Sequence, residues 1–122
     1  MVSHSNPQRT YFLDIDGTLL KQKTNFTDTL DTEQLELLPK AREKVSDWHC
    51  QGHTIVIVTA RCESMRDLTI KQLENAGIVY DMLIMGLSSG VRVLVNDVDS
   101  NDQQKAISYN VIRNIEGLTN VE

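Results

Sequence analysis

Short, nearly continuous apolar runs alternate along the chain with stretches in which apolar residues recur every three or four positions. The runs at residues 10–15, 53–59 and 91–95 are rich in β-branched or aromatic side chains and too short for helices, so they predict strands buried on both faces. Weaker runs at residues 78–85 and 106–111 predict two further strands. Because strands and helices alternate, we expect right-handed crossovers and a parallel sheet of about five strands covered by helices.

Two segments show the spacing of amphipathic helices. The first follows Pro39, which suits an initial helical turn, and ends at Gly52. Its apolar stripe consists of Ala41, Val45 and Trp48. The second begins near Ser64 and ends at Gly77. Its mostly apolar stripe consists of Met65, Leu68, Gln72, Leu73 and Ala76.

Length and composition place the chain among single globular domains. It has 122 residues, of which 40% are hydrophobic and 24% charged, a balance that gives no support to a disordered, collagenous or coiled-coil protein. Residues 1–9 are polar and predict a flexible N-terminal leader. Residues 10–122 then form one predicted α/β unit, a Rossmann-like domain with three layers.

Charge and cysteine usage narrow the class of partner. Seventeen acidic residues against twelve basic ones give a net charge of −5, which argues against nucleic acid because a phosphate backbone attracts basic surfaces. No apolar run approaches the roughly 18 residues that a membrane span requires, and the N-terminus lacks an apolar signal core. Cys50 and Cys62 are too few for a disulfide framework. We therefore expect a cytoplasmic protein with no membrane partner.

Polar side chains with catalytic chemistry stand where three predicted strands end. Asp14 and Asp16 flank the end of the first strand, Thr59 ends the second, and Asp97 follows residues 91–95. Each residue alone is commonly a turn or cap residue. Together they lie at the carboxyl ends of parallel strands, where α/β sheets bind ligands. Carboxylates gathered there repel one another unless a hard cation neutralises them, which predicts Mg²⁺.

These residues also form recognisable motifs. Asp14-Ile15-Asp16-Gly17-Thr18-Leu19 resembles the D-x-D-G-T-L signature of the haloacid dehalogenase superfamily of phosphatases and phosphotransferases. Residues 55–61 resemble its second motif, a strand that ends in Thr or Ser, and residues 93–97 resemble its fourth, a strand that ends in a metal-binding acid. In order and spacing the resemblance extends over residues 10 to 112.

The resemblance implies a role for each matching residue. Asp14 is the expected nucleophile, which forms an aspartyl-phosphate, and Asp16 is the expected general acid and then the base for water. The expected Mg²⁺ ligands are the Asp14 side chain, the Asp16 main-chain carbonyl and Asp97. The expected phosphate-binding residues are Gly17, Thr59, Ala60 and Arg92.

One motif of the superfamily departs from the usual pattern. Members usually carry a third-motif Lys or Arg between the second and fourth motifs, and Lys71 lies mid-helix, where it is poorly placed for this role. Arg92 is the better candidate, although the alternative that it begins a strand and faces solvent stays open. Arg61 is either a further phosphate-side cation or the partner of a surface acid. We expect Asp102 to be an outer partner of the metal.

The segments between motifs are too short for a cap domain. Residues 18–38 span only about 20 positions, fewer than a packed domain needs. The chain is therefore similar to small capless members linked to sugar-phosphate and surface-polysaccharide synthesis. An uncovered site needs another way to exclude water: the chain around residues 25–27, a bulky substrate, or a neighbouring subunit in a homo-oligomer.

The combined prediction is a Mg²⁺-dependent phosphomonoesterase that acts on a small phosphorylated metabolite such as a sugar phosphate. Two alternatives remain open: a catalytically weak or inactive module that binds a phosphosugar or a protein, and a phosphotransferase or phosphomutase. A phospho-receiver domain fits less well, because its acidic pair and its phospho-acceptor lie on different strands, whereas Asp14 and Asp16 share one strand end.

Overall fold

The computed structural model describes residues 7–23, 29 and 32–122. Its sheet contains three parallel strands in the order β1 (Thr10–Leu13), β2 (Thr54–Val58) and β3 (Met82–Ile84). β2 is the central strand of this sheet. The prediction of an α/β fold with a parallel sheet is confirmed.

In the part of the chain that the structure describes, a ten-residue helix lies in each connection between neighbouring strands. α1 (Ala41–Cys50) precedes β2, and α2 (Arg66–Asn75) follows a 3-10 turn at Glu63–Met65. Gly52 and Gly77 have φ values of 90° and 72° just beyond the two helices, so both helices end at the predicted glycines. The start of α2 differs from the prediction, because Ser64 lies inside the 3-10 turn.

The hydrophobic core lies on the face of the sheet that carries the two helices. Ile55 and Ile57 share this face because alternate residues of a strand point the same way, and both are fully buried. The core around them includes Leu13, Ile15, Val45, Trp48, Leu73 and Leu118. Tyr11 stacks on Trp48 at the margin of this core, with ring centroids 3.9 Å apart.

The opposite face of the sheet is covered only at its centre. Val56 and Val58 of β2 are buried, whereas Phe12 of β1 and Met82 of β3 are more than half exposed. The described helices α1 and α2 both contribute to the core on the other face. The three-layer prediction is therefore not met by these elements, which form two layers.

Two of the predicted strands are not formed. Residues 91–95 and 106–111 have no strand structure, and the side chains of Val91 and Val95 are 90% and 86% exposed. A single antiparallel bridge joins Val98 to Gln104 across a turn. The prediction of five strands is wrong for the described residues: a β-branched run forms a ladder only beside a neighbouring strand, and these runs have none.

The chain beyond residue 111 returns to the core. Leu118 and Val121 are buried there, and the Leu118 N–H donates to the Pro39 carbonyl at 2.9 Å. The Lys44 ammonium donates to the carbonyl oxygens of Thr119 at 3.1 Å and Val121 at 2.5 Å. These contacts hold the preceding residues against the loop that follows β1.

Two predictions concern residues outside those described. Most of the predicted leader (residues 1–6) and the chain around residues 25–27 lie there. Among the described residues, no helix has the length and apolar character needed to cross a membrane. Cys50 and Cys62 are both exposed free thiols.

Candidate active site

The loop after β1 is a tight turn built on Ile15. The Ile15 side chain is fully buried, and its carbonyl accepts hydrogen bonds from the amides of Thr18, Leu19 and Leu20 at 3.0–3.1 Å. This turn places Asp14 and Asp16 at the carboxyl end of β1. The sequence prediction that the two carboxylates share one strand end agrees with this geometry.

Gly17 occupies a position that a larger residue cannot take without strain. Its φ is 84°, and a Cβ there would lie 2.7 Å from Cγ of Arg113. Its carbonyl accepts the Asn114 N–H at 3.0 Å. Its own N–H donates to the Leu20 carbonyl at 2.8 Å, so the amide predicted to cradle a phosphoryl group is engaged inside the loop.

Asn114, near the C-terminus, hydrogen-bonds the loop that follows β1. Its Oδ1 accepts the Gln22 N–H at 2.8 Å, and its Nδ2 donates to the Gln22 carbonyl at 2.9 Å. The loop is therefore held on one side by β1 and on the other by the segment that returns to the core.

Asp14 is partly buried and lies next to two groups that favour its charge. The Thr18 hydroxyl donates to Oδ2 at 3.1 Å, and Nη1 of Arg92 lies 3.4 Å from Oδ1. Burial nevertheless raises the pKa of Asp14 above its ordinary value; Arg92 and Thr18 oppose this rise, and Asp16 adds to it. The surroundings of Asp14 thus disfavour its ionised form on balance.

Asp16 is held by a buried arginine. The Arg61 guanidinium donates through Nε to Oδ2 at 2.9 Å and through Nη2 to Oδ1 at 2.7 Å, a bidentate pair. Arg61 is only 3% exposed. Arg61 is therefore neither a cation free to bind phosphate nor the partner of a surface acid. Its partner is the site carboxylate of Asp16, and its charge is buried because Arg61 follows β2 and lies beneath the turn.

Thr59 lies at the end of β2, between β1 and β3. It is buried, its N–H donates to the Ile84 carbonyl at 3.0 Å, and its hydroxyl oxygen accepts the Arg61 N–H at 3.1 Å. A hydroxyl that accepts one hydrogen bond keeps its own proton to donate. Ala60, the neighbouring candidate, is exposed.

Asp97 is not gathered with Asp14 and Asp16. Its side chain is 76% exposed, and its Oδ1 lies 3.5 Å from Nζ of Lys105. Within residues 7–23, 29 and 32–122 no three His, Cys, Asp or Glu side chains form a group that could hold a metal. The predicted convergence depended on a strand at residues 91–95, and that strand is not formed. Asp102 is also exposed, in the turn after Asp97.

Two oxygen groups at the end of β1 still suit a magnesium ion. The Asp14 carboxylate and the Asp16 main-chain carbonyl are hard donors, and Mg²⁺ is often bound through one or two carboxylates with water in its other positions. A divalent cation bound there would favour the ionised form of Asp14, which burial disfavours by raising its pKa. These two residues therefore fit the predicted ion.

Comparison with protein families matches residues 11–115 to the haloacid dehalogenase-like hydrolases. The chain belongs to this family. A search of curated proteins gives no match.

Two solved structures are similar in fold to this haloacid dehalogenase-like chain. A chain of the Pnkp1/Rnl/Hen1 complex is 23% identical with a TM-score of 0.58, over 75% of this chain and 32% of that one. A structural-genomics target from Vibrio cholerae is 20% identical with a TM-score of 0.54, over 70% of this chain and 79% of that one. The chain thus spans about a third of the first of these proteins.

Sequence reasoning missed two parts of this haloacid dehalogenase-like site. Gln72 was assigned to the apolar stripe of α2, but it hydrogen-bonds Arg61. Arg113 packs on Gly17 and Asn114 hydrogen-bonds Gln22, two contacts that the sequence motifs do not predict. The signal available for Gln72 was a glutamine on an otherwise apolar stripe. Arg113 and Asn114 gave no such signal, because their contacts join residues far apart in the chain.

Proposed function

We propose that the chain is a Mg²⁺-dependent phosphomonoesterase that acts through an aspartyl-phosphate at Asp14 on a small phosphorylated metabolite such as a sugar phosphate. The observation that carries this proposal is the position of Asp14 at the carboxyl end of β1, beside a cation and a hydroxyl donor. Arg92 and the Thr18 hydroxyl both favour the ionised form of Asp14 that attack on phosphorus requires. Asp16, a second carboxylate held in place by Arg61, lies on the same turn.

In the first proposed step, a carboxylate oxygen of Asp14 attacks phosphorus and the bond from phosphorus to the ester oxygen breaks. Asp16 gives a proton to the departing oxygen. Arg92 and the Thr59 hydroxyl bind the phosphoryl oxygens, and the Thr18 hydroxyl orients the Asp14 carboxylate.

In the second step, water attacks the phosphorus of the aspartyl-phosphate. Asp16 takes a proton from this water, so it ends the cycle as it began, and Asp14 is released as a carboxylate. The Asp14 carboxylate and the Asp16 main-chain carbonyl would hold Mg²⁺. The ion would supply positive charge against the phosphoryl oxygens.

The first experiment measures phosphate release from p-nitrophenyl phosphate and a panel of sugar phosphates, with Mg²⁺ and with EDTA, beside Asp14→Asn. We expect Mg²⁺-dependent release by the wild type and a loss on the order of 10³-fold or more in Asp14→Asn. Release that persists in Asp14→Asn would refute the nucleophile. No release from any compound by protein that binds Mg²⁺ would refute the phosphatase.

The second outcome would favour a binding module without turnover. One observation supports that candidate: both oxygens of Asp16 already accept hydrogen bonds from Arg61. Calorimetric titration with the same sugar phosphates would then detect binding directly.

We also propose, from the sequence motif, that Asp97 is a third metal ligand, which requires it to move from its exposed position beside Lys105. Asp97→Asn should then raise the Mg²⁺ concentration for half-maximal rate by about tenfold. Asp99→Asn is the matched control, since Asp99 lies two residues away and its side chain accepts the Asn101 and Gln103 amides. An unchanged Mg²⁺ requirement in Asp97→Asn would instead support the pairing of Asp97 with Lys105.

A further inference from the structure

Arg61 is the centre of a buried polar network. Besides its two bonds to Asp16, Nη1 donates to the Thr69 hydroxyl at 3.0 Å and to Oε1 of Gln72 at 2.5 Å. A buried guanidinium without such partners would be strongly unfavourable. The orientation of Arg61 is therefore set by α2 on one side and by Asp16 on the other.

Gln72 connects this network to a different part of the chain. It is 1% exposed, and its Nε2 donates to the carbonyl oxygens of Thr29 at 2.8 Å and Thr32 at 2.5 Å. Arg61 can only donate and the two carbonyls can only accept, so the amide has one orientation that satisfies all three partners. Gln72 therefore holds Arg61 with a fixed oxygen.

We propose that Gln72, with Thr69 beside it, is a positioning residue that holds Arg61 and, through Arg61, sets the orientation of the Asp16 carboxylate for proton transfer. The inference rests on the proposed function, in which Asp16 protonates the leaving oxygen. The terminal torsion of an aspartate is broad and nearly two-fold, and a bidentate arginine restricts it. Each Asp16 oxygen keeps a further lone pair for the proton.

The test separates proton transfer from phosphoryl transfer by the choice of substrate. An alkyl phosphate has a poor leaving group that needs a proton, whereas 2,4-dinitrophenyl phosphate has a leaving group that needs none. Gln72→Met should lower kcat/KM for the alkyl ester about tenfold more than for the dinitrophenyl ester. A merely structural role would lower both values by the same factor, and that result would overturn the proposal.

Asn75→Ala is the matched control. Asn75 also lies on α2, and its Nδ2 donates to the Glu33 carbonyl at 2.9 Å, so this variant also removes an amide-to-carbonyl bond. We expect the ratio of the two kcat/KM values to remain that of the wild type. A ratio that changes as much as in Gln72→Met would overturn the assignment to Gln72.

A second readout needs no catalysis. In ¹⁵N spectra, the Nε–H resonance of Arg61 should exchange slowly with water and should shift in Gln72→Met but not in Asn75→Ala. An Arg61 resonance unchanged in Gln72→Met would overturn the proposal. If wild-type protein hydrolyses neither ester, the proposed function fails, and this measurement still decides whether Gln72 sets Arg61. Should Gln72→Met not fold, Thr69→Val removes the other bond to Nη1 and is expected to shift the same resonance.

Discussion

Residues 10–86 and residues 91–112 contain similar β-branched runs in different surroundings. In the first region, β2 lies between two strands, the two helices cover the face that carries Ile55 and Ile57, and the Val and Ile side chains of β2 are buried. In the second region, Val91, Val93 and Val95 have no neighbouring strand and are exposed. The comparison teaches that an apolar run specifies a strand only where the rest of the chain supplies its neighbours.

The charged pairs of the two regions also differ in burial. Arg61 and Asp16 form a buried bidentate pair at 2.7 Å, whereas Lys105 and Asp97 form a single exposed contact at 3.5 Å. Exposed pairs of this kind contribute little to folding, because water solvates both partners. The regions meet where Arg92 contacts Asp14.

The largest effect expected of a change in the second region is at this meeting point. Arg92→Met should lower kcat/KM for phosphate esters by on the order of 10²–10³-fold, because it removes the cation that contacts the carboxylate proposed as nucleophile. Arg113→Met is the control, since it removes an exposed arginine that packs on the same loop. Steady-state rates equal to the wild type in Arg92→Met would show that Arg92 takes no part in catalysis.

A matched pair of isoleucines measures the difference in packing. Ile57→Ala removes a fully buried side chain and should lower the free energy of unfolding by about 3 kcal/mol. Ile107→Ala removes a side chain that is 62% exposed and should change it by less than about 0.5 kcal/mol. Urea denaturation measures both values. Similar losses in the two variants would mean that residues 91–112 are packed in solution.

Gly17 reports how tightly the returning segment is held against the site. Gly17→Ala should destabilise the fold by about 1–2 kcal/mol, because φ is 84° and the new methyl group meets Arg113. Adding Arg113→Ala should recover the steric part only. If the single and the double variant unfold at the same urea concentration, Arg113 does not pack on Gly17.

The smallest effect concerns pH. The pKa of Asp14 is raised in the folded state, so the folded protein binds a proton at this carboxyl more tightly than the unfolded chain does. The ionised carboxylate therefore lowers the free energy of unfolding. Asp14→Asn should therefore unfold at a higher temperature than the wild type at pH 7, in EDTA. The difference should vanish below the ordinary pKa of the carboxyl, where both states are protonated. A lower melting temperature for Asp14→Asn at pH 7 would contradict the raised pKa.

The first half of the fold was predictable because its signals are local. Glycines at positions 52 and 77 end the helices, and continuous apolar runs mark β1 and β2. The carboxylate pair at the end of β1 was equally visible, since strand and turn residues adjoin in the sequence. The prediction failed at residues 91–95, where the same local signal has no neighbouring strand.

The surroundings of the carboxylates were not predictable from local pattern. The bidentate contact of Arg61 joins residues 45 positions apart, and the contact of Gln72 with Thr29 joins residues 43 positions apart. Hydrophobic periodicity assigns a residue to a helix face but does not predict which distant residue it contacts across the core. The pattern of the sequence therefore does not reveal the polar network beneath the site.

The two hydrogen bonds between Asn114 and Gln22 have a consequence for folding during synthesis. The two residues are 92 positions apart, so a ribosome releases the loop that carries Asp14 long before it releases Asn114. β1, α1 and β2 can associate while translation continues, because domains form progressively from the N-terminus. The loop that bears Asp14 can form its hydrogen bonds with Asn114 only when residue 114 leaves the exit tunnel. An unfinished nascent chain therefore carries both carboxylates on a loop that lacks these contacts.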